Sequence, residues 1–94
     1  MAGVTADARD AVVLATHEAA ANAMEHARGA GRVTVRGEVE EDAVMVVVTN
    51  AGDWREPVHL DGRGRGMALI RALMSDVDIE TDSRRCVVRM RRAL

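Results

Sequence analysis

The sequence predicts an α+β fold: a two-layer sandwich of a mostly antiparallel or mixed sheet with helices on one face. Three observations predict it. A run of strong helix formers without Gly or Pro, from about Asp7 to Ala27, reads as one long helix. Two β-rich stretches after it read as an antiparallel hairpin, and two more near the C-terminus as further strands. The order helix, two strands, loop, helix, two strands then gathers both helices on one side of the sheet. With 94 residues and no repeat, linker or low-complexity segment, the chain makes a single domain over residues 1–94.

Each element has its own signal. Thr5 or Asp7 can cap the first helix and Gly29 and Gly31 end it. Val12, Ala15, Ala19, Ala23 and Ala27 recur near helical spacing, a face narrow enough to lie close against a sheet. In "RVTVRGEVE" Val33, Val35 and Val39 alternate with Thr34, Arg36 and Glu38, the pattern of a half-buried strand. Glu40 to Asp42 turn the chain, and "AVMVVVTN" follows as a more continuously apolar strand. From Ala51 to Gly66 periodicity is lost and four of the eight glycines appear, which predicts a loop. "MALIRALMS" predicts a second helix, and "DVDIETD" and "RRCVVRMRR" two more strands. In the last, Cys86, Val88 and Met90 face inward and Val87, Arg89 and Arg91 outward, so the far sheet face is expected to be wet and rich in arginine.

Composition narrows the function classes. The chain is 48% hydrophobic and 30% charged, with a net charge of −2, which argues against direct nucleic-acid binding. With no Phe or Tyr and a single Trp, the core falls to Ala, Val, Leu and six Met, and small side chains imply modest stability. The one cysteine, Cys86, excludes an internal disulfide and fits a reducing compartment. No segment approaches the ~20 apolar residues of a membrane span and no signal peptide is seen, so a cytoplasmic location is expected. Arg84, Arg85, Arg89, Arg91 and Arg92 crowd the C-terminus, the pattern of a solvated strand face.

Three stretches could carry chemistry. In "HEAAANAMEHA" Glu18, Asn22 and His26 stand four residues apart and share one helix stripe, drifting by about 40° per step. The stripe is either a solvent edge or the oxygen side of a magnesium site, with Asn22 as direct ligand and Glu18 holding a water or accepting a proton. His26 is too far along to share that ion and reads as helix-end or pocket-edge packing. In "DGRGRGMALIRAL" Gly62, Gly64 and Gly66 lead into a helix, which makes either an anion site with Arg63 and Arg65 beside it or a plain connection. In "VTNAGDW" Asn50 and Gly52 end a strand; the polar side chain either reads the edge of a flat ligand such as a purine or forms an Asx-type turn.

Taken together, "EAAANAMEHA", "VTNAGDW" and "GRGMALIRALMSDVDI" resemble the GHKL ATP-binding superfamily (the Bergerat fold), and within it the anti-sigma-factor serine kinases. The resemblance runs from Val13 to about Ile79 in family order and spacing. It implies Glu18 as catalytic base or water-orienting group and Asn22 as the magnesium ligand bridging ion and phosphates. Asn50 then stands where the family's aspartate binds the adenine amino group, with Gly52 under the base. Gly64, Arg65 and Gly66 match the second glycine box, Met67 follows it, and His59 through Arg63 form a short lid; His26 joins the pocket edge. The implied cofactors are ATP or ADP with Mg2+. The implied partners are an anti-anti-sigma (STAS-type) protein, whose serine would be phosphorylated, and a sigma factor, with homodimerisation common among such kinases. Three departures are visible. Asn50 replaces the aspartate, so affinity is expected to fall about tenfold or more. The late Gly-Thr is absent, with Cys86 at the threonine position. No counterpart of the family's first helix and strand precedes Val13, which leaves a sheet edge or face for a partner or second copy. The alternative is a non-catalytic, degenerate module that binds a protein or regulates a larger signalling protein; a sensor histidine kinase ATPase half fits less well, because the phospho-acceptor helices are missing.

Overall fold

A computed structural model describes residues 4–26, 32–51, 65–82 and 85–94. Its elements, in chain order, are α1 (Ala6–His26), β1 (Val33–Val39), β2 (Ala43–Ala51), α2 (Arg65–Leu73), β3 (Asp76–Thr81) and β4 (Arg85–Ala93). The strands form one sheet in the order β1-β2-β4-β3, and every pairing is antiparallel. Between them β2 and β4, the two most apolar strands, take the central positions.

The expected α+β sandwich is what forms. Thr5 starts α1: its Oγ1 accepts from the Ala8 N–H at 3.1 Å, supplying one of the partners that the first turn lacks. The alanine face of α1 then lies on the sheet. Ala15, Ala19 and Ala23 share one core with Val44, Val46 and Val48 of β2, with Cys86, Val88 and Met90 of β4, and with Ile70 and Met74. Alanine puts little bulk between helix and sheet, so the backbones approach closely and side chains at the helix edge reach strand ends. α2 packs chiefly on α1, and Arg92 reaches its C-terminus, where the guanidinium donates to the Leu73 carbonyl. A cation at that end also answers the negative pole of the helix.

Several expectations change in detail. The β1 valines do point to the helix side, since Val35 pairs with Val48 and Val39 with Val44, but both are exposed. α1 lies over β2 and reaches β1 only sparingly, so alternation here marks a face without a full cover. On the far face Arg89 and Arg91 are not bare: Arg89 pairs with Asp78 and Glu80, and Arg91 with Asp42 and Asp76. Charges of both signs balance there, in exposed pairs worth about 0–1 kcal/mol each. Val87, expected to face out, lies on that face between Thr49 and Glu80 and is nonetheless buried. Arg92, expected in a solvated row, takes the helix side instead.

Candidate functional site

The polar row of α1 meets the start of α2. α2 begins at Arg65, earlier than the expected "MALIRALMS", so Gly66 belongs to its first turn rather than to a loop. A Cβ at Gly66 would stand 3.1 Å from Glu18 Oε2, 3.1 Å from Asn22 Nδ2 and 3.4 Å from Asn22 Oδ1. A side chain there would crowd both groups, which would have to give by a few tenths of an ångström. The result is a carboxylate and an amide oxygen held beside the unpaired amides of a helix N-terminus, hard oxygen donors next to an anion-seeking pole. Among the described residues no three His, Cys, Asp or Glu side chains gather as a metal cluster, so a cation here would rely on one or two protein oxygens and its own other ligands.

Asn50 lies deeper, 1% exposed at the end of β2. Its Nδ2 donates to the Ala23 carbonyl at 3.4 Å and its Oδ1 accepts from the Cys86 N–H at 3.1 Å. The side chain therefore ties the last turns of α1 to β4. Beside it is a cavity of about 10 Å³ lined by Ala19, Asn22, Val48, Met67, Cys86 and Val88 among others, room for roughly one water. The predicted residues Asn22, Asn50 and Met67 thus meet at one place, with Glu18 and Gly66 at its rim. Arg65 starts α2, and His26 closes α1. Gly52, Trp54, His59, Arg63 and Gly64 lie outside the described residues.

Compared with protein-family models, the chain matches one, the histidine kinase-like ATPase domain (HATPase_c_2), over residues 1–92. The chain belongs to that family. No curated protein matches it. Membership in the histidine kinase-like ATPases implies a nucleotide site, and the meeting of α1, β2 and the α2 N-terminus is where the residues fit one. The rest of the lining was legible by simple periodicity. Ala19 and Ala23 flank Asn22 on the same helix face, Val48 stands two before Asn50, and Val88 stands two after Cys86. What sequence reasoning missed is the backbone: the Ala23 carbonyl as a partner of Asn50.

Two outcomes are expected at this candidate site. Gly66→Ala gains helix propensity of up to about 1 kcal/mol, while its methyl forces the half-exposed ends of Glu18 and Asn22 outward. Urea unfolding should therefore show stability within about 1 kcal/mol of the parent, with nucleotide affinity reduced by calorimetry; unchanged affinity would separate these side chains from binding. The second outcome concerns Cys86, whose thiol burial pushes above its usual 9.0. All 13 basic residues other than His are arginine and there is no Tyr, so Cys86 is the one side chain whose ordinary pKa falls between those of histidine and arginine. The unfolded chain releases the thiol proton from about 9.0 and the folded chain only at higher pH. Stability is thus full below 9.0 and declines above it, by at most about 1.4 kcal/mol per pH unit. A Cys86→Ala variant should lose this alkaline slope in urea titrations at pH 8, 9.5 and 10.5; a slope that persists would assign it elsewhere.

Proposed function

We propose that the domain binds Mg·ATP and acts as a regulatory serine kinase of the anti-sigma type, phosphorylating a STAS-type anti-anti-sigma partner and holding a sigma factor otherwise. The observation that carries the nucleotide part is the approach of Glu18 and Asn22 to the bare backbone of Gly66. Asn22 would hold the ion through Oδ1, and the first-turn amides of α2 would hold phosphate oxygens. Bound magnesium would supply neutralisation of the charge that spreads over the transferring phosphoryl group. Glu18, beside Asn22, would accept the proton of an incoming serine hydroxyl or orient a water. Transfer of this kind asks mainly for positioning, which two packed helices provide. The serine substrate, the sigma factor and a homodimer rest on the resemblance of the motifs.

A second reading is a non-catalytic interaction module. It is favoured by the small size of the cavity, about 10 Å³, and by the hold of Asn50 on two backbone groups, which stabilises the fold without any ligand. Calorimetry with ATP and ADP, in magnesium and in EDTA, decides between them. Micromolar, magnesium-dependent binding that Asn22→Ala abolishes supports the kinase reading, and a Glu18→Ala variant should then fail to label a serine-bearing partner with radiolabelled ATP. No heat up to millimolar nucleotide supports the module.

A further inference from the structure

β1 stands at one edge of the sheet, and among the described residues no strand pairs with its outer side. Its register with β2 shows which backbone groups are left over. The Ala51 N–H donates to the Arg32 carbonyl at 3.0 Å and the Glu40 N–H to the Ala43 carbonyl at 2.7 Å, at the two ends of one ladder. Antiparallel residues alternate between bonded and non-bonded pairs, so the even-numbered residues of β1 turn their N–H and C=O to β2. The odd ones, Val33, Val35, Gly37 and Val39, therefore turn theirs to the open edge. Neither a proline nor a bulge, common interruptions of a free edge, breaks this strand. Gly37 sits in its middle. A glycine inside a strand weakens it, and a Cβ here would meet nothing within 4 Å, so no contact among the described residues calls for one.

Pairing with a second copy accounts for both features. A two-fold antiparallel contact must set odd residues opposite odd ones, because only those carry free groups, and charge then chooses the register. Centred on Arg36, the two strands would oppose arginine to arginine; centred on Glu38, glutamate to glutamate. Centred on Gly37, they set Arg36 opposite Glu38 of the second copy on the far face, and Val35 opposite Val39 on the helix face. Symmetry repeats both pairs. Val35 and Val39 are 47% and 45% exposed, so the pairing covers apolar surface that α1 leaves bare. Arg36 and Glu38 form no ion pair among the described residues, so both charges are available across the axis. Gly37 meets its own copy at that axis, where the lack of a side chain lets two backbones come close. The opposite edge is built the other way. Asp76, Asp78 and Glu80 of β3 share one face, and a second copy there would bring acid toward acid.

We propose that the domain self-associates through β1, two copies joining edge to edge about a two-fold axis at Gly37 to continue one sheet across both. This takes up the homodimer proposed above and gives it a place in the fold; no nucleotide enters the pairing. A contact of one strand is smaller than the ~1,200 Å² of standard interfaces, so a reversible dimer with a dissociation constant of about 10–100 μM is expected. Sedimentation velocity of the full chain from about 5 to 500 μM, without nucleotide, tests it. The expected result is a monomer–dimer equilibrium. Arg36→Glu and Glu38→Arg each set like charges opposite one another and should weaken association by about tenfold or more. An equimolar mixture of the two variants should associate to within about threefold of the parent, because each offers the charges that the other lacks. Both residues are exposed, so urea midpoints should stay near that of the parent. A parent that stays monomeric throughout the range would overturn the inference, as would association that neither variant weakens. A species larger than a dimer would also overturn it, since a two-fold edge pairing closes on itself. So would a mixture no better than the single variants, because only the register centred on Gly37 joins position 36 to position 38. Nucleotide binding is read separately by calorimetry, and its absence would overturn the nucleotide reading while leaving the pairing standing.

Discussion

Asn50→Ala is expected to lower stability by about 2–4 kcal/mol, a large part of the ~5–15 kcal/mol available to a domain of this kind. The side chain is 1% exposed and bonds two backbone groups, the Ala23 carbonyl and the Cys86 N–H. The Ala23 carbonyl is one of the last four of α1, which ends at His26, and such carbonyls have no intrahelical partner guaranteed. The Cys86 N–H belongs to central strand β4 and is likewise buried. Alanine leaves both groups dry and unpaired, at about 1–3 kcal/mol each. The check is urea unfolding: the midpoint should fall at unchanged slope. Asn50→Asp separates the two bonds. It keeps an acceptor for Cys86 but turns a second oxygen toward the Ala23 carbonyl, so it should be destabilised at neutral pH. It should recover as pH falls, because a protonated carboxyl can donate where the amide did. A variant as stable as the parent at pH 7 would show that the Ala23 bond contributes nothing.

The same residue shows how far the sequence could be read. "VTNAGDW" marked Asn50 as a polar side chain ending a strand, and that is where it stands. Its partners lie 27 and 36 residues away, set by how α1 and β4 meet, and no local pattern holds that information. The strands were legible because valine alternation and apolar runs register burial directly. The exposure of Val35 and Val39 was not, since it depends on where α1 lies across the sheet rather than on β1 itself. Gly66 is the most instructive case. Glycine disfavours helix, so local propensity assigned it to a loop. α2 nevertheless includes it, with Glu18 and Asn22 close against its backbone. Local rule and structure part company at the functional site, where a position is held for contact rather than for propensity.

Ile70→Ala is expected to cost about 2–5 kcal/mol, and to weaken nucleotide binding from a position that touches no ligand. Ile70 is 0% exposed and, with Met90, among the largest fully buried side chains of the described residues. α2 is only nine residues long, below the roughly 12–15 residues that an isolated helix needs to hold together in water. Its order therefore depends on the apolar side it presents to the core, with Ile70 as its buried member, Met67 and Leu73 partly covered, and Met74 buried just past its end. Removing the isoleucine leaves a cavity beneath the middle of the helix, and a short helix has no second anchor of equal depth. Its first turn carries Gly66, so loosening the anchor spreads the distances from Gly66 to Glu18 and Asn22 on which the proposed phosphate and magnesium site depends. Two measurements should then move together: a lower urea midpoint and a weaker Mg·ATP constant at temperatures where the variant is still folded. Ile70→Val is the control, with an expected cost of about 0.5–1.5 kcal/mol and affinity close to the parent. If Ile70→Ala loses stability but binds nucleotide as the parent does, the α2 start is positioned by α1 alone, and Gly66 rather than the core beneath it sets the geometry of the site.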